Sequence, residues 1–185
     1  RALAKAEEEV IAKAGAANNF YREGSAVDYG RAFEFKAGRT LAAEEANART
    51  LSYGNNALDP KPPYLRDSLV SERLAQPGEK FYVIEYDRQS SPGGWASQKQ
   101  YTSLNQARNE LSLLPEFKSG DLVVREYEVV KPMPIREGTV GPLKSNTGET
   151  YAGGAKQTEF VFERPQSDSW KEFLQRNETP LKLGN

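Results

Sequence analysis

The chain has 185 residues, 37% of them hydrophobic and 28% charged, with 25 basic side chains against 26 acidic ones. That length buries a real core, no apolar run approaches the roughly 20 residues that span a bilayer, and a net charge of -1 gives no global attraction to nucleic acid. The lack of cysteine and histidine removes disulfides, thiol catalysis, most zinc sites and the commonest general base. No metal centre is expected, and any chemistry rests on carboxylates, Arg, Lys, Tyr, Ser or Gln.

In chain order, residues 1–14 place Leu3, Ala6, Val10 and Ala14 at helical spacing before Gly15, which predicts a helix. The start at Arg1, inside that helix and without an initiator Met, reads as a piece of a longer protein. Residues 20–36 mix aromatics with Gly24 and Gly30 and read as short strands around a turn. Thr40 is a candidate cap for a helix reaching Leu51, residues 52–64 form a loop, and Asp67 or Ser68 opens a shorter helix ending near Leu74. Residues 1–79 are therefore expected to be an N-terminal, mainly helical region.

From residue 80 to 185 the pattern predicts a β-rich core. Lys80 to Tyr86 is aromatic and β-branched, a strand. Ser103 with Gln106 is a capping-box signal for a helix over 103–114 carrying Leu104, Ala107, Leu111 and Leu114 on one stripe, ended by Pro115. Arg108 lies about 40° from Leu104 on the helical wheel, within reach of a cleft beside the core. Leu122 to Val130 alternates as a strand, with Val123, Arg125, Tyr127 and Val129 on one face. Lys131 to Lys156 shows no regular element over about 26 residues and reads as a binding loop whose glycines let backbone approach a ligand. Thr158 to Glu163 alternates again, so that Gln157 and Glu159 share the face opposite Thr158 and Phe160 and project together toward whatever the loop encloses. Ser169 with Glu172 caps a short final helix.

These elements carry an ordered set of motifs: Asp87-Arg88; Ser91-Pro92-Gly93-Gly94-Trp95-Ala96-Ser97; Arg108 shortly before Leu114-Pro115; Tyr127-Glu128-Val129-Val130-Lys131-Pro132-Met133-Pro134-Ile135; and Gly153-Gly154-Ala155-Lys156-Gln157. Over roughly residues 85–158 this order resembles the tuberculosis necrotizing toxin family of NAD glycohydrolases. The resemblance departs from that family's pattern at Glu159, near where the family has Tyr, and at Arg125, where a His often precedes the Tyr of the strand exit. It implies an ADP-ribosyltransferase-like fold: α+β, a compact, bent, mainly antiparallel sheet with an N-terminal helical layer and a short C-terminal helix. Arg22 resembles the strand Arg that opens many such folds.

The implied activity is hydrolysis of NAD, and of NADP in addition, as substrate, with no cofactor required. The implied catalytic residues are Gln157 and Glu159, and the implied substrate-binding residues are Arg88, Trp95, Ser97 and Arg108. Two guanidinium groups suit a pyrophosphate, Trp95 offers a ring face to nicotinamide, and the Gln157 amide orients ribose or water. Such a domain is delivered as the C-terminal part of a larger protein, acts in the target-cell cytoplasm, and requires a neutralising immunity protein in its producer, without nucleic-acid or membrane partners. Two further readings stay open. Gln157-Thr158-Glu159 is also the Gln-x-Glu arrangement of mono-ADP-ribosyltransferases, and the loop serves equally a non-enzymatic protein-interaction module; a nuclease is a weaker outsider.

Overall fold

Ten strands and three short helices are described in the computed structural model, which is described over residues 35–50, 61–161 and 170–185. The expected N-terminal helix, Arg22 and the Ser169 cap lie outside these residues. Strands β1 (Thr40–Ala42), β2 (Leu69–Ala75), β6 (Met133–Thr139), β9 (Lys156–Phe160) and β4 (Trp95–Ala96) form one sheet in the order β1-β2-β6-β9-β4. Strands β10 (Leu174–Arg176), β5 (Leu122–Val129) and β3 (Lys80–Tyr86) form a second, and β7 (Leu143–Lys144) pairs with β8 (Thr150–Tyr151). Every pairing is antiparallel. With α1 (Ala43–Arg49), α2 (Leu104–Leu111) and α3 (Trp170–Phe173) the fold is α+β.

The two larger sheets join at their edges. Tyr82 of β3 and Ser97, just beyond β4, exchange backbone hydrogen bonds of 2.7 and 2.9 Å. Between them lies the core: Phe81, Val83, Tyr127 and Val129 meet Met133, Ile135 and Phe160, with Trp170 and Phe173 closing one end. Phe81 and Phe160 pack edge-to-face with ring centroids 5.7 Å apart, as do Tyr127 and Trp170 at 5.8 Å, each such pair stabilising by about 1 kcal/mol beyond its area.

The sheet begins before residue 80. The expected helix from Asp67 to Leu74 is instead β2, paired to β6 from Ser71↔Glu137 to Ala75↔Met133. Asp67 has a φ of 63° and leads into extended chain. The buried face of β2 presents Val70, Glu72 and Leu74, and the carboxylate in that row hides the period of two. Glu72 is tolerated there because Arg39 and the fully buried Arg136 reach it at 2.5 and 3.0 Å, meeting the condition for burying a charge. Thr40 does not cap a helix: it starts β1, and α1 begins three residues later.

The expected loop from Lys131 to Lys156 contains β6, a central strand buried over Met133 to Gly138. Pro134 disguised it, because a proline cannot donate to a ladder and argues against a central strand. It sits second in the strand, where its carbonyl still accepts from Val161 N–H at 3.0 Å. Gly138 lets Tyr64 lie across this strand: a Cβ there would meet the Tyr64 ring at 2.7 Å and Val70 at 2.9 Å. The helix at 103–114 forms over Leu104–Leu111, with Ser103 Oγ accepting from Gln106 N–H at 3.2 Å. The Gln106 side chain turns to Glu110 at 2.6 Å, so only half of the capping box is used.

Candidate functional site

A cleft of about 290 Å³ opens beside the seam of the two sheets. Sequence alternation explains its first wall: β3 gives Phe81, Val83 and Glu85 to the core, so Tyr82 and Ile84 face the other way and line the cleft. Gly93, Gly94, Trp95 and Ser97 supply a second wall, the end of α2 with Ser112 and Leu113 a third, and Val140, Pro63 and Gln157 the fourth. Most of this lining is apolar, with a few convergent polar groups, and the volume falls just under the usual small-molecule range of about 300–1,000 Å³.

Gln157 on β9 is buried at 7% exposure and donates from Nε2 to the Pro63 carbonyl at 2.8 Å. That bond fixes the amide, and among the described residues its Oε1 accepts no hydrogen bond. Ser97 is buried, its Oγ accepting from Lys99 N–H at 3.0 Å. Trp95 is half-buried and packs edge-on to Tyr64 at 5.6 Å. Trp95, Ser97 and Gln157 thus come together on the cleft.

The other candidates go elsewhere. Glu159 stands directly across from Trp95 in the β4–β9 pairing, yet it does not line the cleft. At 2% exposure its carboxylate accepts from Thr50 Oγ1 at 2.5 Å and Tyr64 Oη at 3.1 Å, with Arg136 Nη1 at 3.5 Å. Arg136 in turn pairs with Glu72. A chain of charges, buried at Glu72, Arg136 and Glu159, therefore runs from the half-buried Arg39 to Glu159, steadying Tyr64 and through it Trp95. Asn47 holds the same segment from α1, accepting from Tyr64 N–H at 2.8 Å and donating to its carbonyl at 3.1 Å. Arg88 is exposed beyond the end of β3, and Arg108 turns back to the Leu113 carbonyl at 3.0 Å, closing its own helix. Neither arginine lines the cleft.

The glycine run before Gln157 also acts differently from the expectation that its backbone meets a ligand. Gly153 N–H donates to the Asn109 carbonyl at 2.8 Å and Ala155 N–H to Glu110 at 3.3 Å, so this run caps α2. Gly153 has a φ of +69°, and a Cβ on it would lie 2.6 Å from the Val140 carbonyl oxygen. The glycines that do line the cleft are Gly93 and Gly94.

Sequence reasoning missed Tyr82, Tyr101 and the lysines Lys61, Lys99 and Lys118, all on the lining. Tyr82 carried a signal, since a strand apolar on both faces is covered on both. The lysines carried none, being scattered along the chain. Burial pulls the Lys118 ammonium below the usual lysine range, partly offset by Glu85. On the core side of β3, burial raises the Glu85 carboxyl against the opposing pull of the Tyr127 hydroxyl, Arg176 and Arg125. Arg125 Nε meets Glu85 at 3.1 Å and its Nη1 meets the Glu178 carbonyl at 2.7 Å, a structural tie across the second sheet.

No protein-family model and no curated protein matches the sequence. The chain is similar to one in the structure of Tne2 in complex with Tni2, with a TM-score of 0.52 and 27% identity over 65% of this chain and 98% of that one. Weaker likenesses are to Rhs1-CT in complex with cognate immunity protein RhsI1, at a TM-score of 0.47 and 18% identity over 63% and 83% of the two chains, and to Tse6 in complex with Tsi6, at 0.38 and 15% over 61% and 76%. Among the described residues no helix is long and apolar enough to cross a membrane.

Proposed function

We propose that the chain is a toxin domain that hydrolyses NAD, and NADP in addition, to nicotinamide and ADP-ribose. The observation that carries this reading is Gln157, its amide fixed by Pro63 on a cleft shared with Trp95 and Ser97. The ordered motifs over residues 85–158 and the likeness to the Tne2 structure across nearly all of that chain support it.

The chemistry suits a site without histidine. The bond from the ribose C1′ to the pyridinium nitrogen breaks, its electron pair stays with nicotinamide, and nicotinamide leaves neutral, so no acid need protonate it. Water adds to C1′ and releases one proton to solvent. What the protein supplies is orientation and a preorganised dipole for the developing cation. With Nε2 committed to Pro63, the Gln157 Oε1 is the electronegative end available to the ribose or to the attacking water. The half-buried Trp95 and Tyr82 give apolar surface to the nicotinamide and exclude bulk water. Glu159 acts through Tyr64 as a positioning residue. Its burial leaves it poorly placed to activate an acceptor on another protein, which favours hydrolysis over transfer.

The domain acts in the cytoplasm of the cell that receives it, as the terminal part of a larger delivered protein, and its partner is a cognate immunity protein. Incubation of the purified chain with NAD or NADP, followed by chromatography of the products, tests the activity. Stoichiometric nicotinamide and ADP-ribose are expected. Label transferred to protein in place of free ADP-ribose would establish the transferase instead, and intact dinucleotide would reject both.

A further inference from the structure

Resting on the reading of the cleft as a dinucleotide site, we infer that the phosphates are held by lysines of the cleft lining, Lys118 foremost with Lys99 and Lys61, in place of Arg88 and Arg108. The two arginines lie off the lining, and Arg108 is committed to Leu113. The lining holds three ammonium groups and no carboxylate, so the field inside it is positive even though the chain carries a net charge of -1.

Lys118 carries the argument furthest. Its side chain runs along the cleft wall, and its Nζ donates to the Ile84 carbonyl at 2.6 Å. An ammonium has three donors, and among the described residues no carboxylate lies within ion-pair distance of this one. A cation taken partly out of water with one neutral acceptor is incompletely compensated, and an anion entering the cleft supplies what it lacks. Burial weakens the charged form of Lys118, the direction expected of a group that gains when an anion arrives. Lys99 is tied to Glu110 at 3.1 Å and lies over the Tyr101 ring at 4.8 Å. Lys61 donates to the Lys144 carbonyl at 2.6 Å. These contacts hold both ammonium groups on the cleft lining. Lysine serves here as a point charge, while the arginine fork is used for structure.

Calorimetric titration of the full chain with inorganic pyrophosphate and with ADP-ribose tests this. Lys118→Met is expected to weaken both at least about 10-fold, the equivalent of one charge-assisted hydrogen bond, with Lys118→Arg retaining most of the affinity. Lys99→Met, at a half-exposed position that does not threaten folding, should weaken both by a smaller factor and reduce the salt dependence. Lys182→Met, exposed and off the cleft, should match the parent. Unchanged affinity in both Lys118→Met and Lys99→Met, or a loss confined to Arg88→Ala and Arg108→Ala, overturns the inference. Lysine-dependent pyrophosphate binding by a chain that leaves NAD intact upholds the anion site and rejects NAD hydrolysis. Normal NAD turnover with an unchanged KM in both Lys118→Met and Lys99→Met does the reverse.

Discussion

Gln157 and Glu159 sit two residues apart on one strand face, and their surroundings give them different work. Gln157 borders the cleft with one end of its amide committed, while Glu159 lies under it among Thr50, Tyr64 and Arg136. Gln157→Ala should lower NAD turnover at least about 100-fold, the cost of losing one preorganised polar group, while stability falls by only about 1 kcal/mol, because the Pro63 carbonyl keeps its bond from Gly141 N–H at 3.1 Å. Turnover near the parent's in a folded Gln157→Ala protein would move the site elsewhere. Glu159→Ala should act the other way round, destabilising by about 2–4 kcal/mol in urea unfolding because it strips a partner from a buried guanidinium. A Glu159→Ala protein as stable as the parent would sever the link drawn from Arg136 to Tyr64. The shared face was legible from strand alternation alone. That one residue meets the cleft and the other a buried cation was not, since both partners, Pro63 and Arg136, arrive from other strands and loops.

At the scale of elements, the connection between β8 and β9 is where local geometry and site coincide. Gly153 combines a left-handed φ with an approach to the Val140 and Gly141 carbonyl oxygens that leaves no room for a methyl group. Gly153→Ala is expected to cost about 2 kcal/mol or more, from backbone strain together with the clash. It should also lower turnover, because Val140 and Gln157 on either side of the contact line the cleft. Equal urea midpoints for this variant and the parent would contradict the role given to Gly153. Strands β3 and β5 and helix α2 were readable because each has a clean period and an ordinary boundary. Strands β2 and β6 were not, because Glu72, Arg136 and Glu137 occupy buried positions where the pattern calls for apolar residues, and Pro134 stands inside a central strand.

Over the whole molecule, acid stability should depend on the cluster that ties β2 to β6 and to the turn before β3. Arg73 Nη2 meets Glu79 at 2.7 Å, and Arg73 Nε also pairs with Glu137. Arg73 holds the Glu79 carboxyl below its ordinary value of 4.5. For Glu137 burial acts upward, but Arg73 and Lys156 together outweigh it and the carboxyl is again lowered. Carboxyls lowered on folding contribute stability that is complete above the unfolded value, about 4.5, and lost as the pH falls through the folded values. Glu85, raised by burial, has the opposite sign, its contribution fading as the pH rises through the same region, so the comparison must be made against a variant that leaves Glu85 intact. Urea midpoints measured from pH 7 to pH 3 should fall less steeply in Arg73→Met than in the parent, and parallel profiles would reject the assignment. By itself the sequence determined the strand and helix from residue 80 to 130 and the shared face of Gln157 and Glu159, because alternation, capping and turn chemistry are local properties of the chain, whereas the α+β class and the choice of Trp95 and Ser97 rested on the resemblance carried by the ordered motifs. Only the tertiary structure decided that, among the described residues, the sheet reaches back to Thr40, that Glu159 is a buried support, and that lysines rather than arginines line the cleft. Charges far apart in sequence become neighbours through strand pairing, and no period along the chain encodes which of them will find a partner.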